Sequence, residues 1–174
     1  MANTKERTLV LLKPDAVQRN LAGEIIGRFE KAGLKIVGMK LVLPTKDQAY
    51  THYKINPNLP QTILDHLANF LSASPVVAMV LEGNKAIPVV RKLVGATEPL
   101  QSAPGTIRGD YTLDSYDLAD KESGRAVRNL VHASSSVEDA EKETKVWFDK
   151  KELVEYKTVR EKILYDINLD GILE

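Results

Sequence analysis

The chain contains no cysteine, which excludes disulfides, thiolate nucleophiles and sulfur-ligated zinc or iron, and suits a reducing compartment. It also lacks net charge, with 24 basic residues against 24 acidic ones. No global field draws it to nucleic acid or to an anionic membrane, so any anion site must be a local gathering of cations. Long apolar runs are missing as well. Before Lys13 the amino terminus offers only Leu9-Val10-Leu11-Leu12, far short of a signal segment or a membrane span. The expected location is cytoplasmic. Walker A, Gly-x-Gly-x-x-Gly and Gly-x-Ser-x-Gly patterns are all absent, so a nucleotide would have to bind outside the common phosphate cradles, and the serines near His132 have no hydrolase elbow to sit on.

What is present supports one good core. A chain of 174 residues with 43% hydrophobic content buries roughly 70% of its unfolded surface, and 1–174 reads as a single domain. Thr8 to Leu12 is a short, continuously apolar run stopped by Lys13-Pro14-Asp15, the pattern of a buried central strand. Leu21, Ile25, Ile26 and Phe29 fall at helical spacing, with Gly33 as the stop. Leu34 to Leu43 reads as a strand. Thr45 with Gln48 has the capping-box spacing and opens a short helix; Ile63, Leu64, Leu67, Phe70 and Leu71 form another apolar stripe. Val76 to Leu81 is a strand, and Ala86 to Val94 a helix with Pro88 in its first turn and Gly95 closing it. Ala96 to Arg125, rich in Gly, Pro, Asp and Ser, reads as a long loop of the functional kind. A last strand leads to His132. Ser136 then caps a helix whose apolar face is predicted to be Val137, Ala140, Thr144, Trp147 and Phe148. Four strands with interleaved helices fit an α/β sandwich.

His132 stands at the junction of that strand and that helix, where chemistry is often placed. Imidazole is both nucleophilic and largely deprotonated near neutral pH, and it works best when a carboxylate holds its second nitrogen. Glu143 falls one turn after Ala140 and one before Trp147, on the border of the buried face, and is the candidate carboxylate. Three cations lie at element ends or in loops, Lys13, Arg91 and Arg108, and the hydroxyls of Thr97 and Thr106 share the last loop region. Arginine is the natural bidentate partner of phosphate oxygens. His52 and His66 look like ordinary helix residues, and three scattered histidines give no metal-ligand spacing. No residue is assigned to a resident metal.

Asn129-Leu130-Val131-His132-Ala133-Ser134, with Lys13-Pro14-Asp15-Ala16-Val17-Gln18-Arg19, Gly23-Glu24-Ile25-Ile26, Pro75-Val76-Val77-Ala78-Met79-Val80 and Pro104-Gly105-Thr106-Ile107-Arg108-Gly109-Asp110, closely resembles nucleoside diphosphate kinases. The likeness runs in order from about Glu6 to about Tyr156. It implies a ferredoxin-like fold with a four-stranded antiparallel sheet and covering helices. It also implies a ping-pong transfer of the γ-phosphoryl group of a nucleoside triphosphate to a nucleoside diphosphate, through a phosphohistidine on His132. By the same resemblance Glu143, Ser134 and Tyr53 orient the histidine, while Lys13, Arg91, Thr97, Arg108 and Asn129 hold the nucleotide. Magnesium would arrive on the nucleotide phosphates, contacts to phosphate and sugar would leave base tolerance broad, and the chain would form a homo-oligomer, with hexamers the commoner family habit and tetramers also known.

Departures from the family pattern are confined. Ala133 replaces the usual glycine after the histidine, Ser135 the usual acid two further on, and Ala16 a common glycine. The aromatic platform for the base has no counterpart near Pro60 to Leu64; Ile63 or Leu64 could make apolar contact, and no base-binding residue is assigned. An insertion at 114–124 reads as a solvated acidic loop, with a flap or a subunit contact as its functional alternative. A carboxyl-terminal extension at 158–174 carries Ile163, Leu164, Ile167 and Leu169, expected to dock on its own subunit or a neighbour. The rival reading is a catalytically weak family member acting as a nucleotide- or nucleic-acid-binding scaffold. Against the nucleic-acid version, the paired aromatics of sheet-based recognition are missing from the predicted strands.

Overall fold

The computed structural model describes residues 5–122 and 124–165, with the backbone alone for residues 120–122. In chain order the elements are β1 (Lys5–Leu12), α1 (Pro14–Gln18), α2 (Ala22–Lys31), β2 (Lys35–Val42), α3 (Lys46–Tyr53), α4 (Gln61–Leu71) and β3 (Val76–Asn84). There follow α5 (Ala86–Val94), α6 (Ile107–Tyr111), α7 (Tyr116–Glu122), β4 (Val131–Ala133), α8 (Val137–Trp147) and α9 (Val159–Tyr165).

Successive side chains of a strand point to opposite faces, so the unbroken apolar run of β1 can be buried only where both faces of the sheet are covered. Both are. Val10 and Leu12 pack with Ile25 and Phe29 of α2 and with Val90 and Val94 of α5. Leu9 and Leu11 meet Ala49 and Tyr53 of α3, Leu64, Ala68 and Leu71 of α4, and Trp147 of α8. The strand order is β2-β3-β1-β4 and every neighbouring pair is antiparallel. This is the ferredoxin-like order expected from the resemblance, with β1 central and His132 directly opposite Leu11.

Local signals place most boundaries. Thr45 accepts the backbone N–H of Gln48, although the Gln48 side chain turns to the Val146 carbonyl rather than closing a reciprocal box. Ser136 accepts the N–H of Asp139 and starts α8. The face that α8 buries differs from the expected one. Val137 is exposed in the first turn, and Ala140, Glu143 and Trp147 point inward.

The 96–125 segment is not a long irregular loop, for it carries a single 3-10 turn at Pro99–Gln101 and then α6 and α7. Nor is 114–124 simply a solvated acidic loop. Asp114 is buried, takes both Nη atoms of Arg125 at 2.6 and 2.9 Å, and accepts the Arg128 N–H at 2.6 Å; Ala119 is fully buried. Residue 123 lies outside the described residues. On the extension, Glu161 of α9 pairs with Lys5 and Lys35, whereas Ile163 and Leu164 remain exposed. Ile167 and Leu169 lie outside the described residues.

Lys5, Arg7 and Lys35 all converge on Glu82 of β3. Burial opposes ionisation there, yet the hydrogen bonds from Lys35, Arg7 and Lys5 outweigh it and hold the carboxyl at about 2. A carboxyl depressed on folding stabilises fully above its unfolded value, near 4.5, and the contribution is lost as pH falls toward 2. Glu82→Gln is therefore expected to cost about 2–3 kcal/mol at pH 7 and much less near pH 3. Urea titrations at the two pH values measure this; an equal cost at both would refute it.

Candidate active site

The site lies at the carboxyl end of β1 and the approach to β4, lining a cavity of about 850 Å³. Lys13 leaves β1 just before Pro14 begins α1, and its N–H bonds the Leu130 carbonyl at 2.8 Å. Asp15, next in the turn, accepts the Leu130 N–H at 3.0 Å. Leu130 is held there in the left-handed region at φ 65°, a conformation that costs a branched residue about 1–3 kcal/mol and persists where its surroundings over-determine it. This bend aims the chain into β4 and sets the height of His132.

Glu143 comes to His132 from α8. His132 Nε2 lies 3.0 Å from Glu143 Oε2, and the same oxygen accepts the Ser134 hydroxyl at 2.6 Å. Ser134 Oγ in turn accepts the Leu9 N–H at 3.2 Å, which ties the pair to the central strand. A carboxylate only accepts, so Nε2 carries the proton and Nδ1 keeps its lone pair.

Cations surround this imidazole in two different conditions. Arg91 is exposed on α5 and lines the cavity, with no hydrogen bond or ion pair among the described residues. Arg108 is buried and already engaged. Its Nε bonds the Asn129 carbonyl at 3.0 Å, its Nη1 the carbonyls of Gly95 and Ala96 at 3.0 and 2.9 Å, and its Nη2 the Val131 carbonyl at 2.6 Å. Of the five N–H groups of a guanidinium, one is left to face the cavity. Burial, with Arg91 adding to it, lowers Arg108 to about 10. Thr106 caps α6 through the Gly109 N–H, and a Cβ at Gly109 would fall 2.2 Å from the Ala103 carbonyl oxygen, so only glycine allows Arg108 this position.

Lys13 Nζ bonds Asn129 Oδ1 at 2.8 Å, and Asn129 Nδ2 bonds the Thr97 carbonyl at 2.8 Å. Asn129 thus links two cavity walls. Burial and the nearby Arg108 lower the Lys13 ammonium to about 8. Tyr53 is buried with no hydrogen-bond partner for its hydroxyl among the described residues, and burial followed by Glu143 raises its pKa, so the phenol stays protonated. Ile63 lines the cavity, whereas Leu64 faces the core.

All nine residues singled out from the sequence, His132, Glu143, Ser134, Tyr53, Lys13, Arg91, Thr97, Arg108 and Asn129, fall in or directly behind this cavity. The reading of His52 as an ordinary helix residue does not stand. It is 2% exposed and its ring stands edge-on to that of His132, with centroids 4.4 Å apart. Donor atoms of His52, His132 and Glu143 lie within 4.8 Å of one another, a grouping that histidine spacing along the chain did not reveal. Sequence reasoning also assigned nothing to Asp15, which sets the Leu130 bend, to Asp139, or to Tyr116 and Arg125 of the α7 region, the last three all on the cavity wall. The Asp15 signal was its place in the Lys-Pro-Asp turn; the others carried none.

Comparison with known proteins agrees with this geometry. A family model described as nucleoside diphosphate kinase matches residues 6–153. A nucleoside diphosphate kinase of Pyrococcus furiosus is 49% identical over 154 residues, 88% of this chain and 89% of that one. A solved structure of the Borrelia burgdorferi enzyme, a transition-state mimic with bound vanadate and ADP, superposes with a TM-score of 0.87 at 39% identity, covering 91% of this chain and 95% of that one. An NDP kinase of Pyrobaculum aerophilum superposes with a TM-score of 0.79 at 42% identity, covering 87% and 100%. Sheet and relatives together define a phosphotransferase. The chain belongs to the nucleoside diphosphate kinase family. Among the described residues no helix is long and apolar enough to cross a membrane.

Proposed function

We propose that this enzyme exchanges the γ-phosphoryl group between nucleoside tri- and diphosphates by way of a phosphohistidine at Nδ1 of His132. The observation that carries the reading is the His132 Nε2 to Glu143 contact at 3.0 Å, which leaves Nδ1 as the available lone pair beside a cation-lined cavity. In the first half-reaction the Nδ1–phosphorus bond forms, the bond from the γ-phosphorus to the bridging oxygen breaks, and the diphosphate leaves with the electron pair. Glu143 stabilises the positive imidazole that results, and Ser134 fixes the carboxylate. The second half-reaction reverses these steps onto another diphosphate. Phosphoryl transfer asks mainly for in-line placement and neutralised oxygen charge, which Arg91, Lys13 and the remaining N–H of Arg108 supply, with Thr97 and Asn129 shaping the same wall and Tyr53 beside the ring.

Magnesium carried on the nucleotide would neutralise phosphate charge. Ser135 replaces the family acid, and the carboxylate available one turn on is Asp139, which lines the cavity and takes the Ser135 hydroxyl. Ile63 supports an apolar rather than stacked contact with the base. The edge strand β2 exposes Met39 and Leu41, and Leu43 just after it is exposed too, which supports a homo-oligomer, hexameric by family habit. We read 1–174 as one domain of a cytoplasmic protein, with 114–124 inserted and 158–174 appended. The scaffold alternative gains no support, and the contacts joining His132, Glu143 and Ser134 favour the enzyme reading.

The test is to incubate the enzyme with γ-labelled ATP and magnesium without acceptor, and to map the label by mass spectrometry at neutral pH. Acid-labile phosphate on His132, discharged by added diphosphate, is the expected result. An unlabelled His132 in a nucleotide-bound enzyme would overturn the reading.

Lys13 gives a separate expectation. Its ammonium, lowered to about 8 in the free enzyme, regains its proton when phosphate oxygens arrive. Nucleotide binding at pH 8.5 should therefore take up a sizeable fraction of a proton, and affinity should fall as pH rises through 8. Calorimetry in two buffers of different ionisation enthalpy reads the uptake, which Lys13→Met should abolish. Equal heats for the wild type would contradict it.

A further inference from the structure

His52 is buried beside the nucleophile, and the mechanism above does not use it. Its protonation is fixed by its neighbours. Trp147 Nε1 lies 3.2 Å from His52 Nδ1; an indole N–H can only donate, so Nδ1 must accept and the single proton of the neutral ring sits on Nε2. Burial, then His132 and Lys13, push the imidazole well below its usual range, so it is neutral at pH 7. The same logic argues against a resident metal held by His52, His132 and Glu143, because the His52 lone pair is already taken by the indole. The ring meets His132 at 84°, centroids 4.4 Å apart, and also meets Tyr53 at 4.9 Å. Yet Nε2 is buried without a hydrogen-bond partner among the described residues. Leaving such a donor unpaired costs stability, and a well-packed apolar ring would avoid that cost. A polar group kept at this position at the expense of stability points to a role in the reaction.

We propose that His52 is a positioning residue for phosphoryl transfer: Trp147 locks it as the Nε2–H tautomer, and in that form it fixes the ring of His132 in the plane from which Nδ1 attacks. The proposal rests on His132 being the nucleophile. It adds a chain of control, Trp147 to His52 to His132, running behind the ring, on top of the Glu143 contact at its edge.

The experiment compares wild type, His52→Phe, His52→Gln, Trp147→Phe and the double variant His52→Phe with Trp147→Phe by single-turnover phosphorylation with γ-labelled ATP, by nucleotide affinity, and by Tm. His52→Phe keeps a ring without the N–H. Its phosphorylation rate should fall about ten- to a hundredfold, with nucleotide affinity within about threefold and Tm unchanged or raised. His52→Gln, which restores a donor, should recover part of the rate. Trp147→Phe frees the tautomer, so it should slow the step less than His52→Phe does, and the double variant should be no slower than His52→Phe alone. Two-bond 15N–1H spectra should show the wild-type proton on His52 Nε2 and a shifted tautomer balance in Trp147→Phe. Wild-type phosphorylation rates in His52→Phe would overturn the proposal, as would a rate loss matched by a fall in Tm. If the wild type carries no label on His132, the proposed function itself fails, and that outcome is distinct from either of these.

Discussion

His132→Ala is expected to lower exchange on the order of 10⁴-fold or more, and to abolish covalent labelling, while the protein stays folded. The large effect follows from the division of labour in the cavity. Arg91, Lys13, Thr97 and Asn129, the groups proposed to hold phosphates, are unchanged in the variant, but none replaces the imidazole as nucleophile, and the ammonium of Lys13 is tied to Asn129. Stability should barely change because the His132 side chain is partly exposed and its ring has one hydrogen bond, to a carboxylate that keeps its Ser134 donor. Nucleotide affinity by calorimetry, Tm and coupled-assay turnover separate these effects. Turnover within tenfold of wild type would mean direct transfer between bound nucleotides, and the ping-pong reading would fall.

Arg108→Met should instead act first on the fold. Four carbonyls converge on this one guanidinium, and those of Asn129 and Val131 bracket the left-handed bend at Leu130. Methionine fills a similar volume and satisfies none of them. Buried acceptors left without donors cost about 1–3 kcal/mol each, partly offset by relaxation, so a loss of about 3 kcal/mol is expected. In a chain of this size that lowers Tm by roughly 6–12 °C. Activity should fall further than stability at 25 °C explains, because β4 and His132 are aimed by the same carbonyls. A Tm within about 2 °C of wild type would show that Arg108 serves the ligand rather than the chain.

The parts of this molecule that were legible in the sequence are those where one local pattern carries the physics. The apolar run of β1 has to lie between two covered faces, Thr45 and Ser136 are hydroxyls at helix starts, and Gly95 closes α5. That His132, Glu143, Lys13, Arg91 and Arg108 belong to one site was legible through motifs, and all five line the cavity. Other features depend on partners far along the chain. α6 and α7 lie in a stretch whose Gly, Pro and Asp content reads as loop, and the reason Asp114 is buried, its grip on Arg125 and the Arg128 N–H, is not a periodicity. His52 looked ordinary because the indole that fixes its tautomer is 95 residues away. The grip of Arg108 on four backbone carbonyls was equally hidden, since no side-chain pattern displays it.

The links that assemble the cavity are long in sequence. Lys13 reaches Asn129 across 116 residues, Asp15 reaches Leu130 across 115, and Leu9 reaches Ser134 across 125. Closing spans of this kind is the slow part of folding, after local helices and hairpins have formed. A chain emerging from the ribosome therefore carries Lys13 and most of its core long before it can phosphorylate anything, and it becomes competent only when β4 and α8 are free to dock on β1. Enzymatic activity regained during refolding should lag the return of helical signal, which makes catalysis itself the clock for the last event in building this protein.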